Sequence, residues 1–391
     1  MSVSGNNMKF TPVPGRLAAA AGLLAWLAPR AARAEDAVTY KYEDYQEAGG
    51  RISVHAQYGL VEQDLGPDLR FKLQGVIDAI AGATPNGQPP ATPGGPVPLS
   101  DLTDRRKAWS AELARQWPRT NIAVGVANSR ESDYVSNGWS LNTLTDFNAK
   151  NTTLLLGVAS TDDTVAVRYL GTDQKKRGLD LVAGVTQLLD PRTTLTLNLG
   201  WGQSTGYLGD PYRLVEQRTE VIPGIFLPLD YPENRPDHRR KETALVAFNR
   251  AFPDVGGALE ASYRLYHDTF GTTAHTLDTA WFQQWGDRLV LRPGLRYYEQ
   301  DAADFYTVSL TGAGFTPAHR PSPAGPFYSA DYRLSAFRSL TYGLKVIWTI
   351  TSTWQLDVAL EKYEMRGRDH RTSPSVYPTA TITTAGLKHS W

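Results

Sequence analysis

Three stretches of the sequence place Tyr, Asp, Arg and Gly residues close together, and such residues could bind a ligand or a partner. The stretches are residues 204–213, 297–306 and 329–337. Aromatic rings can form the walls of a binding site, and charged groups can orient a polar ligand. The same residues can also pack as a network that orders long loops, and the sequence leaves both interpretations open. The candidate residues are Tyr207, Asp210, Tyr212, Arg213, Tyr298, Asp301, Asp304, Asp331, Tyr332 and Arg333.

Three histidines are the natural candidates for metal ligands. His267 and His275 flank a predicted turn, and His238 opens an earlier predicted strand. The rings of His267 and His275 share a face only if the turn pairs these positions, because a one-residue slip in register puts them on opposite faces. No third ligand has a fixed spacing to them. We therefore predict neither a metal site nor a cofactor.

Motifs of the common enzyme classes are missing from the sequence. There is no Gly-x-Ser-x-Gly, no His-Glu-x-x-His and no phosphate-binding glycine loop. His267 and Asp268 are neighbours, but adjacent residues of a strand point to opposite faces and could not act together. The sequence therefore predicts that the protein is not an enzyme.

Apolar and polar residues alternate along many segments of the chain, for example 69–74, 194–201, 288–298 and 339–350. A period of two predicts β-strands with one apolar and one polar face. Charged residues recur on the polar faces, six of them basic and six acidic. If these faces line an open pore, the charges would set its ion selectivity. Alternatively, they pair across the lumen and hold a narrow barrel shut. They are Arg70, Lys72, Asp78, Glu112, Glu260, Arg264, Asp278, Arg292, Arg296, Lys345, Asp357 and Glu361.

Short turns and long loops alternate between the predicted strands. The long loops, rich in Pro, Gly and Asp, fall at about 82–103, 207–237, 303–330 and 367–377. Short periplasmic turns and long extracellular loops are typical of transmembrane barrels of the bacterial outer membrane. A strand protein in lipid must also close on itself, because lipid cannot hydrogen-bond an open edge. We predict an all-β, antiparallel transmembrane β-barrel of about 16 strands, with 14 as the alternative.

The N-terminal residues have the features of a secretory signal peptide. Lys9 and Arg16 precede the apolar run 17–27, and Ala32-Arg33-Ala34 is a small-x-small cleavage site before Glu35. We therefore expect a signal peptide over 1–34, cleaved near Ala34-Glu35, and a single barrel domain over 35–391. The chain has no cysteine and a formal charge of zero. A neutral chain gives no reason to expect a nucleic-acid partner.

Aromatic residues support a location in the outer membrane of a Gram-negative envelope. Eight of the ten tryptophans lie near predicted strand ends, where transmembrane barrels carry aromatic girdles. The chain ends on Trp391, and a terminal aromatic on the last strand resembles the signal read by the barrel assembly machinery. The expected partners are therefore outer-membrane lipid and that machinery.

Four motifs resemble the bacterial domain-of-unknown-function 3570 family. They are DAIAGATP at 78–85, TGYLGDPYR at 205–213, LRPGLRYYEQDAADFY at 291–306 and SADYRLSAFRSLTYGLK at 329–345. The resemblance runs from about residue 38 to the C-terminus and implies an outer-membrane barrel with no settled activity. Genes of such proteins neighbour periplasmic flavin-transferase and redox genes, which implies a periplasmic redox or export partner. The family offers no catalytic residues to transfer.

Two functions remain open at the level of the sequence. The first is a channel or export conduit for a small solute, or a housing for a periplasmic partner. The second is a closed structural barrel whose extracellular loops bind a partner or a ligand. The pairing of the charges that face the lumen should distinguish them.

Overall fold

The computed structural model describes residues 36–92 and 95–391, and their backbone is mostly extended. Eighteen strands and six single turns of 3-10 helix make up the regular structure of these residues. The helical turns are Ala48–Gly50, Asn148–Lys150, Arg168–Leu170, Pro253–Val255, Tyr332–Leu334 and Pro374–Val376. The strands are β1 (Ala37–Glu47), β2 (Ser53–Gly66), β3 (Leu69–Pro85), β4 (Leu99–Gln116), β5 (Thr120–Arg130), β6 (Tyr134–Phe147), β7 (Thr152–Val167), β8 (Thr172–Asp190), β9 (Thr193–Gly206), β10 (Leu214–Ile222), β11 (Ile225–Pro232), β12 (His238–Phe252), β13 (Gly257–Asp268), β14 (Thr273–Trp285), β15 (Leu289–Gln300), β16 (Phe337–Thr349), β17 (Trp354–Gly367) and β18 (Thr379–Ser390).

Sixteen of the strands form one closed antiparallel barrel. Each strand pairs with its neighbour in sequence, except that β9 pairs with β12. The ring is closed by β1 and β18, whose register runs from Ala37 opposite Ser390 to Glu47 opposite Ala380. Closure leaves no unpaired edge in the ring. The predicted antiparallel barrel of sixteen strands is therefore confirmed.

The remaining strands, β10 and β11, form a separate two-stranded hairpin. This segment lies inside the predicted loop 207–237, and the sequence analysis missed it. Pro228 and Pro232 lie in β11. Because proline cannot donate to a strand ladder, it argued against a strand there. The hairpin instead stands outside the ring, where β11 pairs only with β10 among the described residues.

The connections are sorted between the two rims of the barrel. One rim, called here the short-turn rim, carries tight turns such as 67–68, 191–192 and 286–288, together with both ends of the ring. The other, the long-loop rim, carries the connections 86–98, 207–237, 301–336 and 368–378 and four shorter turns. The predicted sorting of loops by length is confirmed.

The two faces of each barrel strand differ in chemistry. Leu199 and Leu360 are more than half exposed, and the exposed apolar residues occupy alternate positions along β9 and β17. Trp117, Trp285 and Trp348 are also exposed, at the short-turn rim. Such a face suits contact with lipid, and aromatic residues are typical of its boundary. No helix among the described residues is long and apolar enough to span a membrane.

Candidate functional site: the lumen and its mouth

The twelve predicted charged residues all lie on the face opposite to the exposed apolar side chains. Lys345 is 6% exposed beside Leu344 at 45%, and Asp357 is 7% exposed beside Val358 at 43%. Since adjacent strand residues point to opposite faces, these charges point into the barrel. The structure therefore brings the predicted residues into the lumen.

Ten of the twelve form ion pairs. Lys345 Nζ lies 2.5 Å from Asp357 Oδ1 on the neighbouring strand. Arg296 lies 3.2 Å from Asp278, also on the neighbouring strand. The other pairs are Arg70 with Asp64 and Glu62, Lys72 with Glu62 and Glu112, Asp78 with Arg106, and Arg292 with Glu260. Of the remaining two, Arg264 donates to Thr276 Oγ1 at 3.5 Å, and Glu361 has no ion pair among the described residues.

These pairs run along the wall of the barrel and do not cross the lumen. Each joins neighbouring strands, apart from Arg292 and Glu260, which are separated by the single strand β14. The expectation that pairing across the lumen holds the barrel shut therefore does not apply to these pairs. Lys72 and Glu112 keep 42% and 35% of their side chains exposed inside the barrel. Barrels of sixteen strands are wide enough for a water-filled lumen.

The middle of the wall formed by β5 to β9 and β12 is lined mainly by small, uncharged residues, whereas the pairs Lys176–Asp163 and Lys241–Asp180 lie on the same wall nearer the long-loop rim. Here polar side chains lie flat across glycines of the neighbouring strand. A Cβ added to Gly125 would lie 2.6 Å from Ser140 Oγ, and one added to Gly178 would lie 2.7 Å from Thr161 Oγ1. The same arrangement places Asn142 over Gly157, Asn198 over Gly184 and Thr243 over Gly200. Glycine thus lets hydroxyl and amide groups line the wall without filling the lumen.

At the long-loop rim, six buried charged residues join segments of two long loops. Arg235 Nε lies 2.7 Å from Glu233, and Arg235 Nη2 lies 2.9 Å from Asp331. Arg333 contacts both Asp331, at 2.5 Å, and Asp210, at 2.6 Å. All six side chains are at most 15% exposed. We call this set, Asp210, Arg213, Glu233, Arg235, Asp331 and Arg333, the mouth cluster.

The mouth cluster spans the opening of the barrel. Asp210 follows β9, Arg333 precedes β16, and Arg213 Nη2 donates to Thr84 at the end of β3 over 3.2 Å. In the ring, β9 and β3 are six strands apart, and β16 is five strands from each. Segments that start from three nearly evenly spaced points of a ring meet by extending over its centre. The cluster therefore lies across the mouth.

The electrostatics of the mouth cluster favour the ionised forms of Asp210 and Asp331, but not that of Glu233. Burial opposes the ionisation of Asp331, but the guanidinium groups of Arg333 and Arg213 outweigh it and hold the pKa of Asp331 well below its usual range. Asp210 is held below its usual pKa in the same way, chiefly by Arg333 against the effect of burial. Burial raises the pKa of Glu233 despite the nearby Arg235. A carboxylate removed from this set would leave an arginine buried without its full complement of charge.

Apolar packing completes the cover over the mouth. Val215, Leu310 and Tyr328 form one buried cluster between the loops 207–237 and 301–336. Tyr332, Tyr363 and Tyr377 belong to a second cluster, which includes the loop 368–378. We call these three loops, 207–237, 301–336 and 368–378, the lid.

The tip of the β10–β11 hairpin is the exposed part of the lid. Residues 221–229 carry no charge. Six large apolar side chains of this run are each at least 44% exposed. An apolar patch of this kind on a surface is typical of an interaction site. The six are Val221, Ile222, Ile225, Phe226, Leu227 and Leu229.

The predicted mouth residues separate into two groups. Asp210, Arg213, Asp331 and Arg333 belong to the mouth cluster, and Arg213 lies over the Tyr332 ring at 5.8 Å. The others lie around the mouth cluster. The Tyr207 hydroxyl contacts that of Tyr169, and the Tyr212 hydroxyl donates to Asp133. The Tyr298 hydroxyl donates to Gln300 inside β15, Asp301 is 68% exposed, and Asp304 packs over Gly271.

Two members of the mouth cluster, Glu233 and Arg235, were missed by the sequence analysis. They lie in the segment 231–236, which was read only as loop. An acid two residues before an arginine also occurs at Asp331 and Arg333. That repeated spacing was the signal that could have identified them.

The histidines do not form a metal-binding group among the described residues. His267 pairs with Thr273 in the ladder, whereas His275 lies opposite Leu265. Both rings are on the outer face, where His275 contacts the Tyr263 hydroxyl at 2.6 Å and His267 contacts Thr273 at 3.1 Å. The only group of three potential ligands in the described residues is Asp104, Glu131 and Asp133.

Comparison with solved structures shows the outer-membrane barrel fold. A bacterial polysaccharide outer membrane secretin is 8% identical, with a TM-score of 0.50, covering 92% of this chain and all of that one. CdiB from Acinetobacter baumannii is 7% identical, with a TM-score of 0.50, covering 92% of this chain and 61% of its own. The siderophore receptor PirA from Pseudomonas aeruginosa is 11% identical, with a TM-score of 0.44, covering 92% and 62%. The chain thus spans about three fifths of the length of the receptors it matches. No curated protein matches the sequence.

The sequence also matches a family profile, described as a protein of unknown function (DUF3570), over residues 14–97, 92–172 and 166–386. The matched segments cover nearly the whole barrel, including β9 to β16 and the lid. The motifs that suggested this resemblance lie in β3, at the two sides of the mouth cluster and in β15 and β16. This chain is a member of the DUF3570 family.

Proposed function

We propose that this protein is a conduit for a small polar solute through the outer membrane, closed by the lid at its long-loop rim. The observation that carries the proposal is the contrast between two sets of charges. Those in the lumen pair along the wall. Those of the mouth cluster join three distant points of the ring. This contrast supports a passage along the barrel with a cover at one end.

The lining of the lumen supports a polar solute. Hydroxyl and amide groups such as Ser140, Asn142 and Asn198 line one wall. Most of the paired charges occupy β2 to β4 and β13 to β17, and two further pairs, Lys176 with Asp163 and Lys241 with Asp180, lie on β7, β8 and β12. The hydroxyl and amide groups can form hydrogen bonds with a solute as it loses its water shell. The charged wall would then act as the filter for ions.

A closed structural barrel whose loops bind a partner is the alternative function. The observation in its favour is the exposed apolar tip of the β10–β11 hairpin. A periplasmic redox or export protein would instead meet the short-turn rim, where the lumen has no comparable long loops. Such a partner belongs with the conduit and not with the closed barrel, because the conduit would end at that partner.

Reconstitution in planar bilayers tests the proposed conduit. The purified protein and its Asp331→Asn variant would be inserted, and current would be recorded in salt. Removing one partner of a buried ion-pair network destabilises it by about 3–5 kcal/mol, so the variant should loosen the lid. We expect rare openings for the native protein and sustained conductance for the variant. Asp301→Asn is the matched control, because Asp301 lies in the same loop but its ion pair with Arg368, over 3.7 Å, is exposed to solvent and contributes little.

The outcomes distinguish the two functions. If the native protein and Asp331→Asn both insert but carry no current, the result would contradict the conduit and favour the structural barrel. Equal, sustained conductance from the native protein and from Asp331→Asn would support a conduit but exclude closure by the lid. Insertion is checked independently by the retention of folded barrel in unheated gel samples.

A further inference from the structure

Three basic side chains lie together on the outer face of β4 and β5, near the long-loop rim. Lys107 lies directly opposite Arg130 in the ladder, and Arg105 is the next outward residue of β4. All three residues are exposed. They lie on the same faces of these strands as Trp109 and Val126, each 48% exposed, and therefore point away from the lumen. We call Arg105, Lys107 and Arg130 the basic patch.

The basic patch has no acid beside it on the outer face. Among the described residues, none of its three side chains forms an ion pair. Its ladder partners on the flanking strands are the uncharged Ile77 and Ala79 of β3 and Val135 of β6. The closest acid on the outer face of β4 is Asp101, about 13 Å along the strand beyond Arg105. Like charges directly opposite in a ladder are destabilising, so an anion from outside the chain would stabilise this pairing.

Four other outward arginines near the long-loop rim do have an acid beside them. They are Arg177 with Asp162 at 3.2 Å, Arg240 with Glu242 at 3.6 Å, Arg366 with Glu364 at 3.0 Å, and Arg338, which lies opposite Glu299 in the ladder. Exposed pairs of this kind contribute little to stability, but they do neutralise the charge. The positive charge of the basic patch is therefore unbalanced where that of comparable arginines is balanced.

The height of the basic patch on the barrel corresponds to the level of lipid headgroups. Exposed Trp117, directly after β4, marks the short-turn end of the strand. Lys107 lies about 30 Å along the strand from Gln116, which is about 23 Å of height at the usual strand tilt. The lipid-facing band of such barrels is about 25 Å tall and is bounded by aromatic residues, and Trp109 lies just inside this boundary. The basic patch thus lies at the far edge of the lipid-facing band.

From these observations we infer that the basic patch binds the phosphate groups of lipopolysaccharide. The long-loop rim of outer-membrane barrels faces outwards, and the lipid of the outer leaflet carries phosphate on its sugar headgroup. Two guanidinium groups suit phosphate because each can donate paired hydrogen bonds to its oxygens, and the ammonium group of Lys107 adds a compact charge. The bound anion would offset the repulsion between Lys107 and Arg130. Trp109 would then contact the acyl chains of the same lipid.

Binding of the lipid can be measured without reference to transport. The purified protein, refolded in detergent, would be mixed with diphosphoryl lipid A, with enzymatically dephosphorylated lipid A or with inorganic phosphate. Native mass spectrometry shows which lipid is retained, and thermal unfolding shows which addition stabilises the fold. We expect the native protein to retain the phosphorylated lipid in preference to the dephosphorylated one. It should also unfold at a higher temperature with that lipid, because a ligand that binds only the folded state stabilises it.

Two variants locate the site. Lys107→Gln and, separately, Arg130→Gln should each weaken retention of lipid A about fivefold, the usual contribution of one basic residue near an anionic lipid surface. Arg177→Gln is the matched control, because it removes an outward charge at the same rim that Asp162 already balances. It should retain lipid A like the native protein.

Thermal unfolding separates lipid binding from a structural role of the basic patch. Without lipid, the Lys107→Gln protein should be at least as stable as the native protein, because the repulsion from Arg130 is gone. With lipid A, the native protein should be the more stable of the two. Gel mobility of unheated samples confirms that each variant is folded, and Arg105→Gln replaces a variant that is not.

Three results would overturn the inference. Equal retention of lipid A and its dephosphorylated form would show that phosphate is not recognised. Folded Lys107→Gln and Arg130→Gln proteins that retain lipid A like the native protein would place its site elsewhere. Stabilisation by inorganic phosphate as large as that by lipid A would make the ligand a free anion and not a membrane lipid. None of these results bears on the proposed conduit, which the conductance of the lid variant tests by itself.

Discussion

Arg333 Nη2 lies 2.6 Å from Asp210 Oδ2, and this contact joins two loops that leave the barrel five strands apart. Both side chains are buried, with 15% and 4% exposure. Buried pairs of this kind contribute little when both partners are replaced by apolar residues, but loss of one partner is costly. The pair therefore acts as a specific fastening of the lid.

Substitution of Asp210 should release the lid without unfolding the barrel. Loss of about 3 kcal/mol from a buried pair corresponds to about a hundredfold increase in the open fraction of the loops. For Asp210→Asn we expect faster cleavage by trypsin within 207–237 and 301–336, measured by mass spectrometry of the fragments. Asp301→Asn should be cleaved like the native protein. Equal protection of Asp210→Asn would argue that the pair does not hold the lid.

Reversing one lumen charge should change ion selectivity. Arg292 lies 3.5 Å from Glu260 and has 13% of its side chain exposed. Arg292→Glu would replace a neutral ion pair by two acidic side chains, so the lumen should become more selective for cations. The measurement is the reversal potential across a salt gradient, recorded in the background of the lid variant. Arg296→Glu provides a second position beside Asp278.

An outward arginine is the control for selectivity. Arg177 keeps 78% of its side chain exposed on the outer side of β8, beside Asp162. Arg177→Glu should leave the reversal potential unchanged. If Arg292→Glu and Arg296→Glu also leave it unchanged in a conducting barrel, the lumen charges are not the filter.

Side chains added to the glycine-lined wall should narrow the lumen. A Cβ at Gly184 would overlap the amide oxygen of Asn198, so the amide would have to turn into the lumen. Overpacking of this kind destabilises by about 1–3 kcal/mol. For Gly184→Ala in the background of the lid variant Asp331→Asn, we expect slower osmotic swelling of proteoliposomes in neutral sugars than for the lid variant alone, and a lower unfolding temperature.

The control for this change is Gly75→Ala, since a Cβ there meets no atom within 4 Å. It should leave the swelling rate unchanged and alter stability by less than about 1 kcal/mol. Should Gly184→Ala swell as fast as Gly75→Ala, the polar wall would have no part in the passage of solute.

Removal of Trp391 should impair assembly more than stability. The ring is 57% exposed, whereas the backbone N–H donates to Asp36 over 3.0 Å beside the closing strands. For a chain that lacks Trp391 we expect less folded barrel in outer-membrane fractions and near-native stability of the protein refolded in vitro. Trp285→Ala, at the same rim and 68% exposed, is the control. Normal membrane levels would exclude a role of Trp391 as an assembly signal.

The sequence predicted the barrel well because its strands carry a local pattern. Alternation assigned Arg292 and Lys345 to the lumen, and the tight turns fixed which strands are neighbours. The predicted signal peptide over 1–34 lies outside the described residues, and its cleavage stays a prediction.

The lid was beyond the reach of this pattern, since it depends on contacts between distant loops. Arg235 meets Asp331 96 residues later, and no periodicity encodes such a pair. Composition identified Asp210 and Arg333 as candidate residues of the mouth. It identified Asp301 equally, although Asp301 lies outside the mouth cluster and its side chain is exposed. The sequence analysis also missed β11 because this strand contains prolines, which a hairpin outside the ring tolerates.

The ring is closed by its first and last strands, and this constrains how the molecule folds. β1 pairs over its whole length with β18, so the final edge is covered only when the end of the chain is present. A nascent chain would therefore expose open strand edges throughout synthesis, and such edges promote aggregation. The contacts between β1 and β18 are also separated by the greatest distance in sequence, which makes closure a slow step. We therefore expect a chain of this kind to depend on holding chaperones until its barrel closes, and a product that lacks β18 to keep an open edge.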